Sequence, residues 1–75
     1  MKYIVYNDQG AEEIILFSEI INHSTMSKRM GGAISAGFAY KDDYDNVYCT
    51  GKSHTLNMDS RPDKDTELLI RRLTR

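Results

Sequence analysis

The sequence predicts an α+β fold: an antiparallel sheet of about four strands in β-β-α-β-β-α order, with a short middle helix and a C-terminal helix packed against one face. Three features point there. Two β-branched and aromatic segments flank a turn-forming cluster near the N-terminus. Ala33 to Tyr40 alternates bulky and small residues with a period of two. The C-terminal segment sorts its charges by sign along a helical stripe.

Lys2 to Tyr6 and Glu13 to Phe17 are strand-like, and Asn7-Asp8-Gln9-Gly10 between them supplies turn residues, so the N-terminus reads as a β-hairpin with a four-residue connection. In SEIINHSTMSKRMGG, Ser24 or Thr25 offers a helix cap, Met26 and Met30 share one face, and Lys28 and Arg29 suit the C-terminal end of the dipole. Gly31-Gly32 then stops this short helix. His23 at its entry reads as support for the cap rather than as a catalytic group.

In AISAGFAY, Ile34, Ala36, Phe38 and Tyr40 fall on one face and Ala33, Ser35, Gly37 and Ala39 on the other. The small-residue face suits close packing by a helix or a second subunit. KDDYDN makes a charged turn, and Val47 onward returns as a strand that is expected to run on through Thr55-Leu56-Asn57. Ser60-Arg61-Pro62-Asp63 matches a capping box with proline in the first turn. Asp63, Asp65 and Glu67 crowd the start of the last helix and Arg71, Arg72 and Arg75 its end. Leu69, Ile70 and Leu73 form the expected inward stripe, with Leu68 off its centre.

The chain reads as one domain over residues 1–75. Such a chain buries only about 60–65% of its unfolded surface, so it often depends on a staple or a partner. Cys49 is the only cysteine, which excludes an intrachain disulfide and suits a reducing cytoplasm. Ten basic against eleven acidic residues give a net charge of −1, unlike the footprint of a duplex-DNA binder. The longest apolar stretch is Ile14-Ile15-Leu16-Phe17, so neither a signal peptide nor a membrane-spanning segment is expected.

Gly51-Lys52-Ser53 spells the end of a phosphate-binding loop, but Asn46 stands where its first glycine belongs and a strand is expected where the helix should follow. Asp42, Asp43 and Asp45 miss the spacing of a calcium loop and read as a solvated hairpin tip. Cys49, His23 and His54 have no zinc spacing. Nothing singles out a catalytic pair, so no enzyme, cofactor or metal is expected. Ser53 and Thr55 either form a wetted sheet face or join Ser35 on a shallow surface open to a planar ligand. Lys52, His54 and Arg61 either scatter in solvent or make a cationic corner for a phosphate. Tyr3, Tyr6, Tyr40, Tyr44 and Tyr48 suit an interface or base stacking, though the charge balance disfavours single-stranded nucleic acid.

At ISAGF (Ile34 to Phe38), at Gly51, Ser53 and Leu56, and at SRP-x-x-D (Ser60 to Asp65), the chain resembles a group of small bacteriophage and prophage proteins; the His23-Ser24 entry is a weaker match. The resemblance covers the second half of the chain. It implies a compact accessory protein in an infected bacterial cell, of a type that often inhibits host defences. The resulting expectation is a homo-oligomeric, non-enzymatic protein that sequesters a small anionic, nucleotide-derived ligand. Lys52, His54 and Arg61 would supply charge, Ser35 and Ser53 hydrogen bonds, and Tyr40 or Tyr48 a stacking surface. The competing expectation is an inhibitor that docks a tyrosine-bearing surface or a strand edge onto a host defence enzyme.

Overall fold

A computed structural model describes residues 1–74. In chain order the elements are β1 (Lys2–Asp8), β2 (Ala11–Phe17), α1 (His23–Arg29), β3 (Ser35–Lys41), β4 (Val47–Thr50), β5 (Lys52–Ser53), β6 (Met58–Asp59) and α2 (Pro62–Leu73). The first four strands form one antiparallel sheet in the order β2-β1-β3-β4, and β5 and β6 pair separately. The predicted α+β class and sheet are thus observed.

The two helices take opposite faces of the sheet, not the same one. Tyr3, Val5, Ile14, Cys49 and Leu69 make one buried cluster, beneath α2. Ile4, Phe17, Met26 and Ala36 make the other, beneath α1, with Leu56 and Met58 at its rim. The reason lies in β1, where Tyr3, Ile4 and Val5 are consecutive and all fully buried. A strand that is apolar on successive residues needs cover on both sides. The small-residue face of β3 meets α2 only at Ser35, through Asp65; at Gly37 it is closed by β4 and the loop before α2, where a Cβ would lie 2.5 Å from the Thr50 carbonyl oxygen and 3.1 Å from Ser60 Cβ.

Local chemistry sets the turns. The first hairpin is tighter than its composition suggests, with Asp8 paired to Ala11 across Gln9-Gly10 alone. Both turn residues have positive φ, 55° and 89°, which matches the right-handed twist of the strands. The stop at the end of α1 is a Schellman motif: the Gly32 N–H donates to the Ser27 carbonyl at 2.8 Å and the Gly31 N–H to that of Lys28 at 3.4 Å. Neither Ser24 nor Thr25 caps α1; Asn22 holds that position without a side-chain bond. In the hairpin tip, Asp42 Oδ1 accepts from the N–H groups of Tyr44 and Asn46, which holds its carboxyl below the ordinary range.

Two expectations about the C-terminal third need correction. Thr55-Leu56-Asn57 is a turn, because Ser53 Oγ accepts the Leu56 N–H at 3.2 Å and Asn57 adopts a φ of 49°. Ser60 does not cap α2; its hydroxyl donates to the Gly51 carbonyl at 2.7 Å, and Arg61 is the N-cap, with Pro62 opening the helix. The inward stripe of α2 is Asp65 and Leu69, with Leu68 packed beside them. Ile70 and Leu73 are 47% and 58% exposed. Arg75 lies outside the described residues.

Candidate functional site

Asp65 is the most connected polar residue in the fold. It has no exposed surface, and its Oδ2 accepts from Tyr3 Oη at 2.6 Å, Ser35 Oγ at 2.8 Å and the Arg61 N–H at 2.9 Å. The Arg61 guanidinium donates Nε to Oδ1 at 3.0 Å and forks onto Glu12 at 2.9 and 3.3 Å. Burial and the neighbouring Asp65 carboxylate push the Tyr3 phenol far above its usual range. Glu12 is held below the carboxylate range by Arg61. The network ties β1, β2 and β3 to the start of α2. Tyr3, Ser35 and Asp65 satisfy one another in the interior, and the Arg61 guanidinium is engaged by two carboxylates.

This arrangement settles where the residues expected to bind an anion sit. Ser35 and Arg61 are committed to Asp65 beneath α2. Tyr40 and Tyr48 lie on the opposite face of the sheet, as strand alternation requires of Ser35 and Tyr40. Ser53 is fully buried and serves its own turn, its Oγ 3.3 Å from Thr55 Oγ1. Lys52 and His54 are exposed, and neither has an ion pair among the described residues. The seven residues are therefore divided between two faces and the interior, and Arg61, the strongest anion donor of the set, is occupied.

A second constellation runs from the core to the surface. Phe17 and His23 meet edge to face at 5.5 Å, His23 and Phe38 at 5.6 Å, and Phe38 stacks toward Tyr40 at 6.5 Å. Tyr40 in turn stacks on Tyr48 at 5.5 Å. Buried His23 places Nε2 2.9 Å from the Gly37 carbonyl, and burial lowers its pKa. It buttresses the packing of α1 rather than capping it. Tyr40 and Tyr48 remain 45% exposed.

The surface offers two further features. The sheet edges differ. At β4 the Cys49 N–H, which points away from β3, donates to Thr66 Oγ1 at 2.8 Å, so α2 closes that edge. At β2, no strand of the described residues lies alongside the outer edge. The two-residue loop makes Asp8 with Ala11, Tyr6 with Glu13, and Ile4 with Ile15 the hydrogen-bonded pairs. The backbone groups of Glu12, Ile14 and Leu16 consequently point outward. The other feature is apolar: Ile70 stands between an open cleft of about 650 Å³ reaching Tyr48 and Pro62, and a smaller one of about 280 Å³ reaching Val47 and Leu73.

Among the described residues no cluster of His, Cys, Asp or Glu is arranged to hold a metal ion, and no helix is long and apolar enough to cross a membrane. Comparison with protein-family models, curated proteins and solved structures finds no match for the chain. The fold and its surfaces define a small α+β domain with one open sheet edge. Asp65 was missed as a hub in the sequence. The available signal was Arg61 four residues before it, the spacing of a helical ion pair, just ahead of Leu68 and Leu69.

Proposed function

We propose that the chain is a non-enzymatic protein-binding module that accepts an extended segment of a partner protein along β2. The observation that carries this reading is the asymmetry of the sheet: the β4 edge is closed by Thr66, while Glu12, Ile14 and Leu16 of β2 turn their backbone groups to an edge that no strand of the described residues covers. Main-chain bonds would supply affinity and alternate side chains specificity. An added strand would run beside Glu13, Ile15 and Phe17 on one face and Ile14 and Leu16 on the other, favouring a partner segment rich in β-branched residues. Neither Pro nor Lys within β2 blunts this edge.

The resemblance to small phage proteins makes a host defence enzyme the partner class of interest. Sequestration of a nucleotide-derived anion draws less support, since its expected contacts divide between two faces and Arg61 is already paired. The test is selection of decapeptides from a random displayed library on the folded protein, followed by amide exchange of the complex. The expected result is alternating β-branched peptides that slow exchange at Glu12, Ile14 and Leu16 and lose binding to Ile15→Lys. Protection confined to α2 or to Lys52 and His54 would overturn the reading.

A further inference from the structure

The buried face of α2 accounts for Asp65, Leu68 and Leu69, but not for Ile70 and Leu73, which a solitary helix in water would gain little by carrying. They do not stand alone. Met1 is 53% exposed, and with the half-buried Leu16 and Val47 it lines the clefts that meet Ile70 and Leu73 along α2 and the β3–β4 hairpin. Met1, Ile70 and Leu73 thus form, with Leu16 and Val47, one apolar surface on the α2 side of the sheet. Contiguous patches of this kind mark interaction sites.

We propose that this surface is covered by a second copy of the same chain, with the two α2 helices packed antiparallel about a two-fold axis near Ile70. Two features select that occupant and that direction. The first is charge. Asp63 and Glu67 lie in the N-terminal half of α2 and Arg71 and Arg72 in its last turn. An antiparallel pair crossing near Ile70 sets Glu67 of each copy beside Arg71 of the other and opposes the two helix dipoles. A parallel pair would place like charges together. The second is shape. Ile70 is a ridge with a cleft on either side, and a two-fold axis lets the ridge of each copy enter a cleft of the other. The intrachain Glu67–Arg71 pair, 3.0 Å apart and exposed on both sides, is weak enough to exchange for contacts across the interface.

The surface is distinct from the β2 edge, so a dimer of this form leaves both β2 edges open. The experiment is sedimentation equilibrium of the full chain, with folding of each variant verified by circular dichroism. The wild type is expected at twice its 8.6 kDa mass, and Ile70→Glu at the monomer mass. The double variant Arg71→Glu/Arg72→Glu is expected to weaken the dimer at least tenfold, because it sets acid against acid across an antiparallel interface. Ile15→Lys is expected to leave the dimer intact. A monomeric wild type at several hundred micromolar, or a dimer that survives Ile70→Glu, overturns the proposal. A dimer lost in Ile15→Lys assigns association to β2 instead. A dimer indifferent to the Arg71/Arg72 reversal overturns the antiparallel direction. Failure here leaves the strand-addition reading untouched, since that is scored by amide exchange in β2.

Discussion

Asp65 has no contact with water, yet a tyrosine, a serine and an arginine all donate to its carboxylate. Removing one member of such a set strands the others as buried, unpaired donors, and the cost then exceeds the net worth of the bonds themselves. Asp65→Ala is expected to destabilise the fold by about 3–5 kcal/mol, and Ser35→Ala by about 1 kcal/mol, measured by urea titration. His23 gives the fold a pH dependence. Its native pKa is depressed by burial, so the unfolded chain takes up protons first as pH falls. Its stabilisation is complete above the unfolded value of about 6.5 and is lost as pH drops through the lower native one. Thermal melts across that window should show the decline, and His23→Gln should flatten it. Cys49 is 2% exposed, and burial pushes its thiol up to about 11. Alkylation of native protein at neutral pH is expected to proceed only as fast as the domain opens.

Among the elements, β3 is crowded on its small-residue face by its neighbours. Gly37 is required because Thr50, Ser60 and Tyr3 crowd the place a side chain would take, even though its φ is ordinary. Gly37→Ala is expected to cost about 1–3 kcal/mol as an overpacking change, with the loss visible as a lower urea midpoint at unchanged slope. The motif SRP-x-x-D has a comparable structural reading. Ser60 fastens the loop to Gly51, Pro62 opens the helix, and Arg61 and Asp65 lock the helix start to the sheet. In the other half of the chain, the β2–α1 side is held by aromatic edges and the Schellman stop rather than by ions.

For the molecule as a whole, the sheet is a middle layer with one cluster on each side, so neither face can be uncovered independently. Deleting residues 60–75 would expose Tyr3, Val5, Ile14 and Cys49 and take away the carboxylate that satisfies Tyr3 and Ser35. That fragment is expected to be unfolded by circular dichroism. The surface proposed for a second copy on α2 and the edge proposed for strand addition on β2 are separate parts of one small body. A partner on one and a second copy on the other is a physically consistent arrangement.

Much of the fold is legible along the chain, because period-two alternation in β3, the positive-φ turn residues and the sorted charges of α2 are local signals. The hairpin, the order of the elements and the end of α1 all follow from them. The placement of side chains between layers is not local. Whether Ile70 or Leu68 turns inward depends on how α2 lies across the sheet, and a rotation of one helix position changes the answer. Ser35, Ser53 and Arg61 look like available ligand groups in a linear reading; only packing decides that their partners are Asp65, Thr55, Leu56 and Glu12. The sequence by itself determined the α+β class, the glycine stop of α1 and the charge balance, through preferences acting over a few residues. Tertiary structure alone decided which polar groups were consumed in the interior and which edge stayed open, because both depend on contacts between residues far apart in the chain.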